Sequence, residues 1–516
     1  MAVDTFTTMI VILVYLVMIL GIGYYGYRKT KGAEDYMVAG RNTHPLVIAL
    51  SYGATFISTS AIVGFGGVAA NLGMGLIWLT VFNIGVGVLI AFVFFGKRVR
   101  TIGQRLGAVT FSDLMGKCYN STFLQYVSGI IILVSMPIYT AAILIGGARF
   151  IEVTLSVQYE AALLGFAVIV GAYVVLGGLI AVMHTDAVQG AIMAVGMSLL
   201  LVLTYVYLGG VTTAHTALTN MADLVPAALT AQGHLGWTSM PSLGSPIWMT
   251  LVTTMVLGVG IGVLAQPQLI VRFMTAKDDK ALNRATLIGG PFILMMTGVA
   301  FTVGALTNVY FYQKSGEIAI AAAGGNVDSI MPLYITSAMP DIFVVIFMLT
   351  LLSAAMSTLS SLYHTMGTAL ACDVWGRGRS CALSLKSNKY GIFIMMVVSI
   401  AVAFLLPGSI IARATVIFMG LCASAFLPVF VNGITSKSPC VIGAKASMLA
   451  GAIVWFLWTA FFHAAESSAL GLCQYLFGVP ALLGQPWSAC NPLIIALPIS
   501  IIVMAVFQFR HNRNMA

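Results

Sequence analysis

Long stretches of this sequence contain no charged residue, and this absence limits what the chain can fold into. Arg41 and Lys97 enclose 55 residues without Asp, Glu, Lys or Arg. One helical crossing of a bilayer needs only about 20 apolar residues, so the stretch predicts two crossings, separated at residues 71–75. Over the whole chain 60% of residues are hydrophobic and 8% are charged, against about 25% charged in soluble domains. The sequence therefore predicts an all-α integral membrane protein.

Further apolar segments bring the predicted number of transmembrane helices to about thirteen. The first, residues 5–27, follows Asp4 rather than Lys or Arg and is longer than a typical signal-peptide core, so we interpret it as a true span. The others are predicted at residues 122–148, 161–182, 186–208, 247–273, 285–312, 342–372, 391–406, 414–434, 447–462 and 493–509.

The basic residues predict the orientation of these spans. With the N-terminus outside, all but three of the 24 Lys and Arg residues fall in inner loops, the exceptions being Arg149, Lys314 and Arg413. The positive-inside rule produces this distribution. We expect an outer N-terminus, an inner C-terminus and a multi-pass protein of the plasma (inner) membrane. The net charge of +9 is then explained by the lipid bilayer, and no nucleic-acid partner is expected.

Glycines recur five spans apart, which suggests an internal repeat. Transporter folds often repeat a helix bundle in inverted orientation, with the matching helix of each half interrupted by Gly or Pro. We therefore predict two inverted five-helix repeats, at residues 45–210 and 247–436. Residues 1–44 would hold the first helix and inner loop, 211–246 an outer loop, and 437–516 two C-terminal helices. The alternative is that these glycines only permit close helix packing. They are Gly53, Gly64, Gly66 and Gly67 in the second span, and Gly258, Gly260 and Gly262 before Pro267 in the seventh.

The ninth predicted span contains the sequence SAAMSTLSS at residues 353–361. Helical spacing places Ala354, Ser357, Thr358 and Ser361 on one face, with Ser360 on the adjoining stripe. Hydroxyl and carbonyl oxygens can replace the water shell of a small monovalent cation. Alternatively, such hydroxyls bond back to their own helix or hold neighbouring helices together. The sequence leaves both interpretations open.

Asp186 is the acidic residue best placed to lie inside the membrane. A carboxylate in a bundle interior predicts a functional site. However, Asp186 and Gln189 also have the spacing of a helix cap followed by its capping-box partner. One residue could serve both roles.

Four stretches together resemble the sodium:solute symporter family. They are DYMVAGR at residues 35–41, GGLIAVMHTDAVQ at 177–189, QPQLIVRFM at 266–274 and the hydroxyl-rich stretch of the ninth span. Their order and spacing match the family from the first span to at least the eleventh. The resemblance implies a LeuT-type fold, sodium-driven uptake of a small solute, and bound Na⁺ ions.

The resemblance also implies two sodium sites. The family's main site corresponds to the backbone carbonyls of Ala54 and Ile57, the carbonyl of Ala354, and the hydroxyls of Ser357 and Thr358. A second site found in some members corresponds to Asp186, Ser357, Ser360 and Ser361.

Residues 54–64 (ATFISTSAIVG) are most similar to the branch of the family that carries monocarboxylates, pantothenate and iodide. No buried Lys or Arg is expected to meet a carboxylate. An anionic substrate would therefore depend on helix N-termini and on Thr59, Ser60 and Gln266. A small polar or anionic solute, monocarboxylate-like, is the expected substrate. An amino acid or another solute, carried with sodium or with protons, is the alternative.

Other chemistry is scarce in the sequence. It has no P-loop for ATP and no cysteine pair with zinc-finger spacing, so we expect neither an enzyme nor a structural metal. Cys473 and Cys490 share the last outer loop and could form a disulfide or remain free thiols. A channel or a membrane sensor would also fit many helices, but the asymmetric repeats and short loops favour a carrier.

Overall fold

A computed structural model describes residues 5–155, 157–376, 385–406 and 411–515 of the chain. Its long helices are α1 (Thr5–Lys29), α2 (Pro45–Phe56), α3 (Ser60–Leu72), α4 (Met74–Leu106), α5 (Thr122–Leu155), α6 (Tyr159–Tyr207), α7 (Pro246–Met274), α8 (Asp279–Ser315), α9 (Asp341–Trp375), α10 (Leu385–Leu405), α11 (Ile411–Thr435), α12 (Val441–Phe461) and α13 (Leu493–Met515). Shorter helices lie at Ala33–Val38, Phe111–Cys118, Val211–Asn220, Ala227–Thr230, Ala319–Ala322, Ile330–Ala338, Ala464–Leu470 and Leu472–Phe477.

Eleven helices of the described part of the chain are long and apolar enough to cross a membrane, and α2 with α3 forms one further bent pair. The predicted spans from the seventh to the thirteenth coincide with α7 to α13, overrunning a helix end by at most one residue. Charged residues bracket each of these segments in the sequence, which is why the pattern located them well.

The junction between the predicted fifth and sixth spans lies elsewhere than expected. We predicted it at residues 183–185, but α6 runs through that region and its only non-helical residue is Gly178, with φ 56° and ψ −152°. Glycine adopts this conformation without a steric penalty, and a Cβ there would also collide with Tyr36. The Tyr36 hydroxyl donates to the carbonyl of Val175 at 3.2 Å, so a backbone acceptor next to the break is satisfied.

Two spans are interrupted, though not at their glycines. Between α2 and α3 the chain bends by 51°, and Ile57 leaves the helical conformation with φ −85° and ψ 79°. In α7 the helix stops at Gln266, with ψ 119°, and restarts at Pro267. The glycines mainly serve close packing, the alternative left open by the sequence. For example, a Cβ on Gly262 would collide with Met419 of α11.

Helix α8 lies along both halves of the α2–α3 pair. Gly53 of α2 faces the ring of Phe292, and Gly66 of α3 faces Gly304, where the two backbones approach each other directly. Helix α9 occupies the centre of the bundle and packs against α6, α5, α10 and α2. Its residues from Phe343 to Asp373 are almost all buried, so its hydroxyl groups face protein rather than lipid.

Candidate functional site

The hydroxyl groups of α9 face the end of α2, just before the chain bends. The Ser357 Oγ donates to the carbonyls of Ala54 at 3.0 Å and Ala354 at 3.2 Å. The Thr358 Oγ1 donates to the carbonyls of Thr55 and Ala354, both at 3.1 Å. We call these oxygens the α2–α9 cluster. No charged side chain donates to or accepts from these two hydroxyls in the described part of the chain.

The structure thus brings together four of the five residues predicted for the main sodium site: Ala54, Ala354, Ser357 and Thr358. The fifth, Ile57, lies in the break itself and is 1% exposed, but no hydrogen bond of the described residues joins it to either hydroxyl. The same contacts fit both interpretations of these hydroxyls. The contacts hold α9 against α2, and they also concentrate neutral oxygens at one buried point.

Asp186 belongs to α6, faces the next turn of α9 and is fully buried. Its Oδ2 accepts from the hydroxyls of Ser51 at 2.8 Å and Thr55 at 3.3 Å, and its Oδ1 accepts from Ser360 at 3.2 Å. The Ser361 hydroxyl lies 3.0 Å from that of Thr55. We call Asp186 and these four hydroxyl groups the Asp186 pocket. Its residues come from α2, α6 and α9, so only the folded bundle assembles it.

Ser357 stands between the two sites and serves them with different atoms. Its hydroxyl belongs to the α2–α9 cluster, while its carbonyl accepts from Ser360 and Ser361, each at 3.0 Å. Among the residues predicted for the second site, Asp186 accepts a hydrogen bond from Ser360. Asp186 and Ser361 both contact the hydroxyl of Thr55. Ser357 reaches that pocket through its backbone, which the sequence pattern does not reveal.

Asp186 is not a helix cap. It lies eight residues after the break at Gly178, inside α6. Gln189 does not close a capping box either, because its amide donates to the Tyr15 hydroxyl at 3.2 Å. The cap interpretation is therefore wrong, and the buried carboxylate has another role.

Arg272 corrects the expectation that no basic side chain is buried. It is 1% exposed, and its Nη2 lies 2.8 Å from the Asp186 Oδ2. The Nε donates to Ser51 at 2.9 Å, the Nη2 to Thr55 at 2.5 Å and also to Ser361. Counting charges had assigned Arg272 to an inner loop. The Gln-Pro restart in α7 could have indicated otherwise, since it places Arg272 in a helix rather than after one.

A small cavity lies at the α2–α3 bend, enclosed by α4, α7, α8 and α11. Its walls are mostly apolar, and its polar side chains are few and uncharged. The Ser60 hydroxyl accepts from Thr415 at 2.8 Å, and that of Ser58 accepts from Tyr139 at 3.2 Å. The Oδ1 of Asn83 is buried without a partner among the described residues. The cavity is lined by Phe56, Ile57, Ser58, Ser60, Ala61, Phe65, Leu79, Asn83, Val259, Thr297, Phe301, Thr415 and Met419.

Of the three residues predicted to bind substrate, only Ser60 lines this cavity. The side chain of Thr59 lies beside Gly146 of α5. Gln266 is buried in the α7 break, where its Oε1 accepts from Gln268. The sequence missed Ser58, Asn83 and the more distant Thr415, because helix periodicity shows which residues share a face but not which neighbours that face meets.

A larger cavity opens beyond the bend, between α5, the helix Ile330–Ala338 and the start of α11. It includes Val63, one turn from Ser60, and Asp328, whose Oδ2 accepts from the backbone N–H of Ile411 at 3.3 Å. Burial raises the pKa of Asp328 to about 6. Elsewhere, Cys473 and Cys490 are free thiols in the structure.

Comparison with known proteins decides the family. The sequence profile of the sodium:solute symporter family matches residues 36–451. The chain belongs to this family. It is 29% identical to a sodium/pantothenate symporter of Haemophilus influenzae over 90% of this chain and 95% of that protein. It is 28% identical to sodium/proline symporter 2 of Staphylococcus saprophyticus over 87% and 86% of the two chains.

Solved structures show the same fold. A Na⁺-coupled sialic acid symporter in a substrate-bound, outward-open state superposes with a TM-score of 0.76, covering 97% of each chain at 18% identity. Mhp1, a nucleobase-cation-symport-1 transporter, gives 0.52 over 92% and 94% of the two chains, at 14% identity. This symporter family member is therefore an all-helical multi-pass membrane protein with a LeuT-like fold. Like its relatives it is a sodium-coupled transporter of a small molecule and not an enzyme.

Proposed function

We propose that this protein imports a small organic solute, with monocarboxylate-like anions favoured, by alternating access driven by sodium. The observation that carries this proposal is the α2–α9 cluster, where neutral oxygens of two helices converge beside a bent helix. Sodium is the coupling ion because hydroxyl and carbonyl oxygens are hard ligands for a small cation. They do not bind or release protons near neutral pH, so the cluster offers no group for proton coupling. Its ligands would be Ala54, Ile57, Ala354, Ser357 and Thr358.

A second sodium ion would bind in the Asp186 pocket, with Asp186, Ser357, Ser360 and Ser361. A buried carboxylate is the strongest attraction that the bundle interior offers to a cation. The contacts of Asp186 with Ser360, and of Ser357 with Ser361, support this grouping.

The cavity at the α2–α3 bend would hold the substrate. Its apolar walls suit a small organic body, and its few hydroxyl and amide groups suit one polar head. No charged side chain lines it, so a carboxylate would be held by Ser58, Ser60 and the start of α3, whose N-terminal N–H groups attract an anion. The unpartnered Asn83 carbonyl oxygen would favour a substrate that also carries a donor, as an amino acid does.

The full topology is part of the proposal. Counting α2 with α3 as one span and dividing α6 at Gly178 gives thirteen spans, which agrees with the charge distribution. The N-terminus would then lie outside and the C-terminus inside, with inverted repeats at residues 45–210 and 247–436. Labelling of single cysteines introduced near each terminus, from either side of the membrane, tests this orientation.

Uptake into proteoliposomes tests the proposed function. A panel of monocarboxylates, pantothenate and proline is offered under an inward sodium gradient, with a proton gradient in potassium buffer as the comparison. We expect one small carboxylate to accumulate only with sodium, and to exchange in counterflow as a carrier requires. Equal accumulation under the proton gradient without sodium would contradict sodium coupling, and downhill flux without counterflow would indicate a channel.

A further inference from the structure

The guanidinium of Arg272 already lies where a cation would bind in the Asp186 pocket. Its donors reach Asp186, Ser361 and the two α2 hydroxyls of Ser51 and Thr55. Asp186 and Ser361 are also ligands in the proposed second sodium site. The same oxygens cannot fully coordinate a sodium ion while they accept from the guanidinium.

Charge leads to the same conclusion. Arg272 and Asp186 are 1% and 0% exposed, and together they are neutral. Adding a sodium ion to the intact pair would place two cations on one carboxylate, where they repel each other at short range. Sodium binding therefore requires the guanidinium to leave the carboxylate.

Arg272 lies beside a break in α7 and close to a very small cavity. Arg272 lies on the half of α7 that restarts at Pro267, after the break at Gln266. Next to it, a cavity is lined by Val271, His364 and Thr365, with the buried carboxylate of Asp373 on its wall. His364 lies one turn along α9 from Ser361, so the cavity begins beside the present position of the guanidinium. The Asp373 oxygens accept hydrogen bonds from Thr110 and Gln125, and they would also accept from a displaced guanidinium.

We propose that the Arg272 guanidinium and a sodium ion are alternative occupants of the Asp186 pocket. The inference rests on the second sodium site proposed above. In the arginine-bound state, one side chain of α7 links α2, α6 and α9. Sodium keeps Asp186 neutralised but has no bond to α7, so its binding removes the ionic link between this half of α7 and its three neighbours. Sodium binding in the pocket would thereby increase the mobility of the segment of α7 that follows the break.

Equilibrium binding of ²²Na⁺ to the purified full-length protein tests this inference. We expect two sodium ions per wild-type protein, with Arg272→Gln tightening the weaker one. If the guanidinium leaves about one tenth of the pocket free, removing it strengthens that affinity about tenfold. The stronger site should be unchanged. Arg413→Gln is the matched control, because Arg413 pairs with Glu466 at 3.2 Å in another part of the chain.

Two further measurements separate exchange from a purely structural role. Sodium should raise the melting temperature of Arg272→Gln more than that of the wild type, since only sodium can then neutralise Asp186. In the wild type, sodium but not choline should increase modification of Arg272 by phenylglyoxal, detected by mass spectrometry. Asp186→Asn combined with Arg272→Gln provides a charge-balanced variant that should bind one sodium ion fewer.

The outcomes distinguish the two proposals. Two bound ions in the wild type, with unchanged or weaker binding in Arg272→Gln, would overturn the exchange and leave the second site intact. One ion in the wild type and two in Arg272→Gln would support mutual exclusion and overturn the two-sodium wild type. One ion in both proteins would overturn the second site and the exchange together.

Discussion

Two neighbouring turns of α9 have different electrostatic surroundings. Ser357 and Thr358 donate only to backbone carbonyls, so the α2–α9 cluster contains no charge. Ser360 and Ser361 meet a carboxylate and a guanidinium. All four side chains are at most 2% exposed. The difference shows that the partners from other helices, rather than the hydroxyls themselves, determine what each turn can bind.

The comparison implies different routes to cation binding. In the α2–α9 cluster a sodium ion needs only a reorientation of hydroxyl groups, whose hydrogens turn away from it. In the Asp186 pocket an ion must displace a cation that is part of the protein. On the proposals above, the first turn would bind sodium directly, whereas at the second turn sodium would compete with Arg272.

The largest expected effect is that of Asp186→Asn. It leaves the buried Arg272 guanidinium without its carboxylate, and breaking such a pair costs about 3–5 kcal/mol. Adding Arg272→Gln should recover most of this loss in the free energy of unfolding, measured by denaturant titration in mixed micelles. If Asp186→Asn alone has the same free energy of unfolding as the wild type, the ion pair between Asp186 and Arg272 does not stabilise the fold.

A smaller effect is expected in the neutral cluster. Ser357→Ala and Thr358→Ala each remove one neutral oxygen from the proposed main site, which should weaken sodium activation of transport by about 1–3 kcal/mol. Ser399→Ala is the matched control, because this buried hydroxyl of α10 donates only to the carbonyl of Met395, at 2.8 Å. If all three variants keep wild-type sodium activation, the hydroxyls only hold helices together.

The smallest effect is expected for Ser360 and Ser361, the two neighbouring hydroxyls of α9 that contact charged groups. In sodium-free buffer Ser361→Ala should destabilise the protein by about 1.5–3 kcal/mol, because Ser361 accepts a hydrogen bond from a charged donor. Ser360→Ala also removes a bond to a charged group, but that bond to Asp186 is longer, at 3.2 Å, and we expect a smaller loss. Thermal unfolding of the two variants side by side measures the difference. A larger loss in Ser360→Ala would contradict the assigned geometry.

The sequence predicted the family and the helices from α7 onward, because charge brackets and short motifs are local signals. It also grouped Ala54, Ala354, Ser357 and Thr358, which the structure brings together. It failed where a neighbour in space decides the outcome. Arg272 looked like a loop residue because counting basic residues ignores the break at Gln266. Asp186 looked like a cap because the conformation of one glycine, Gly178, ends the preceding helix five residues before the predicted junction. Thr59 and Ser60 were grouped together, although the chain turns them toward different helices.

Helix α8 has a mechanical consequence for the bend between α2 and α3. It touches α2 through Phe292 against Gly53, and α3 through Gly304 against Gly66. Because α8 contacts both helices of the pair, these contacts restrain the angle between α2 and α3. We therefore expect the bend to keep its angle, and α2, α3 and α8 to move together relative to α5 and α11. The substrate cavity would open by tilting of its walls, while the ligands contributed by α2 keep their spacing throughout the cycle.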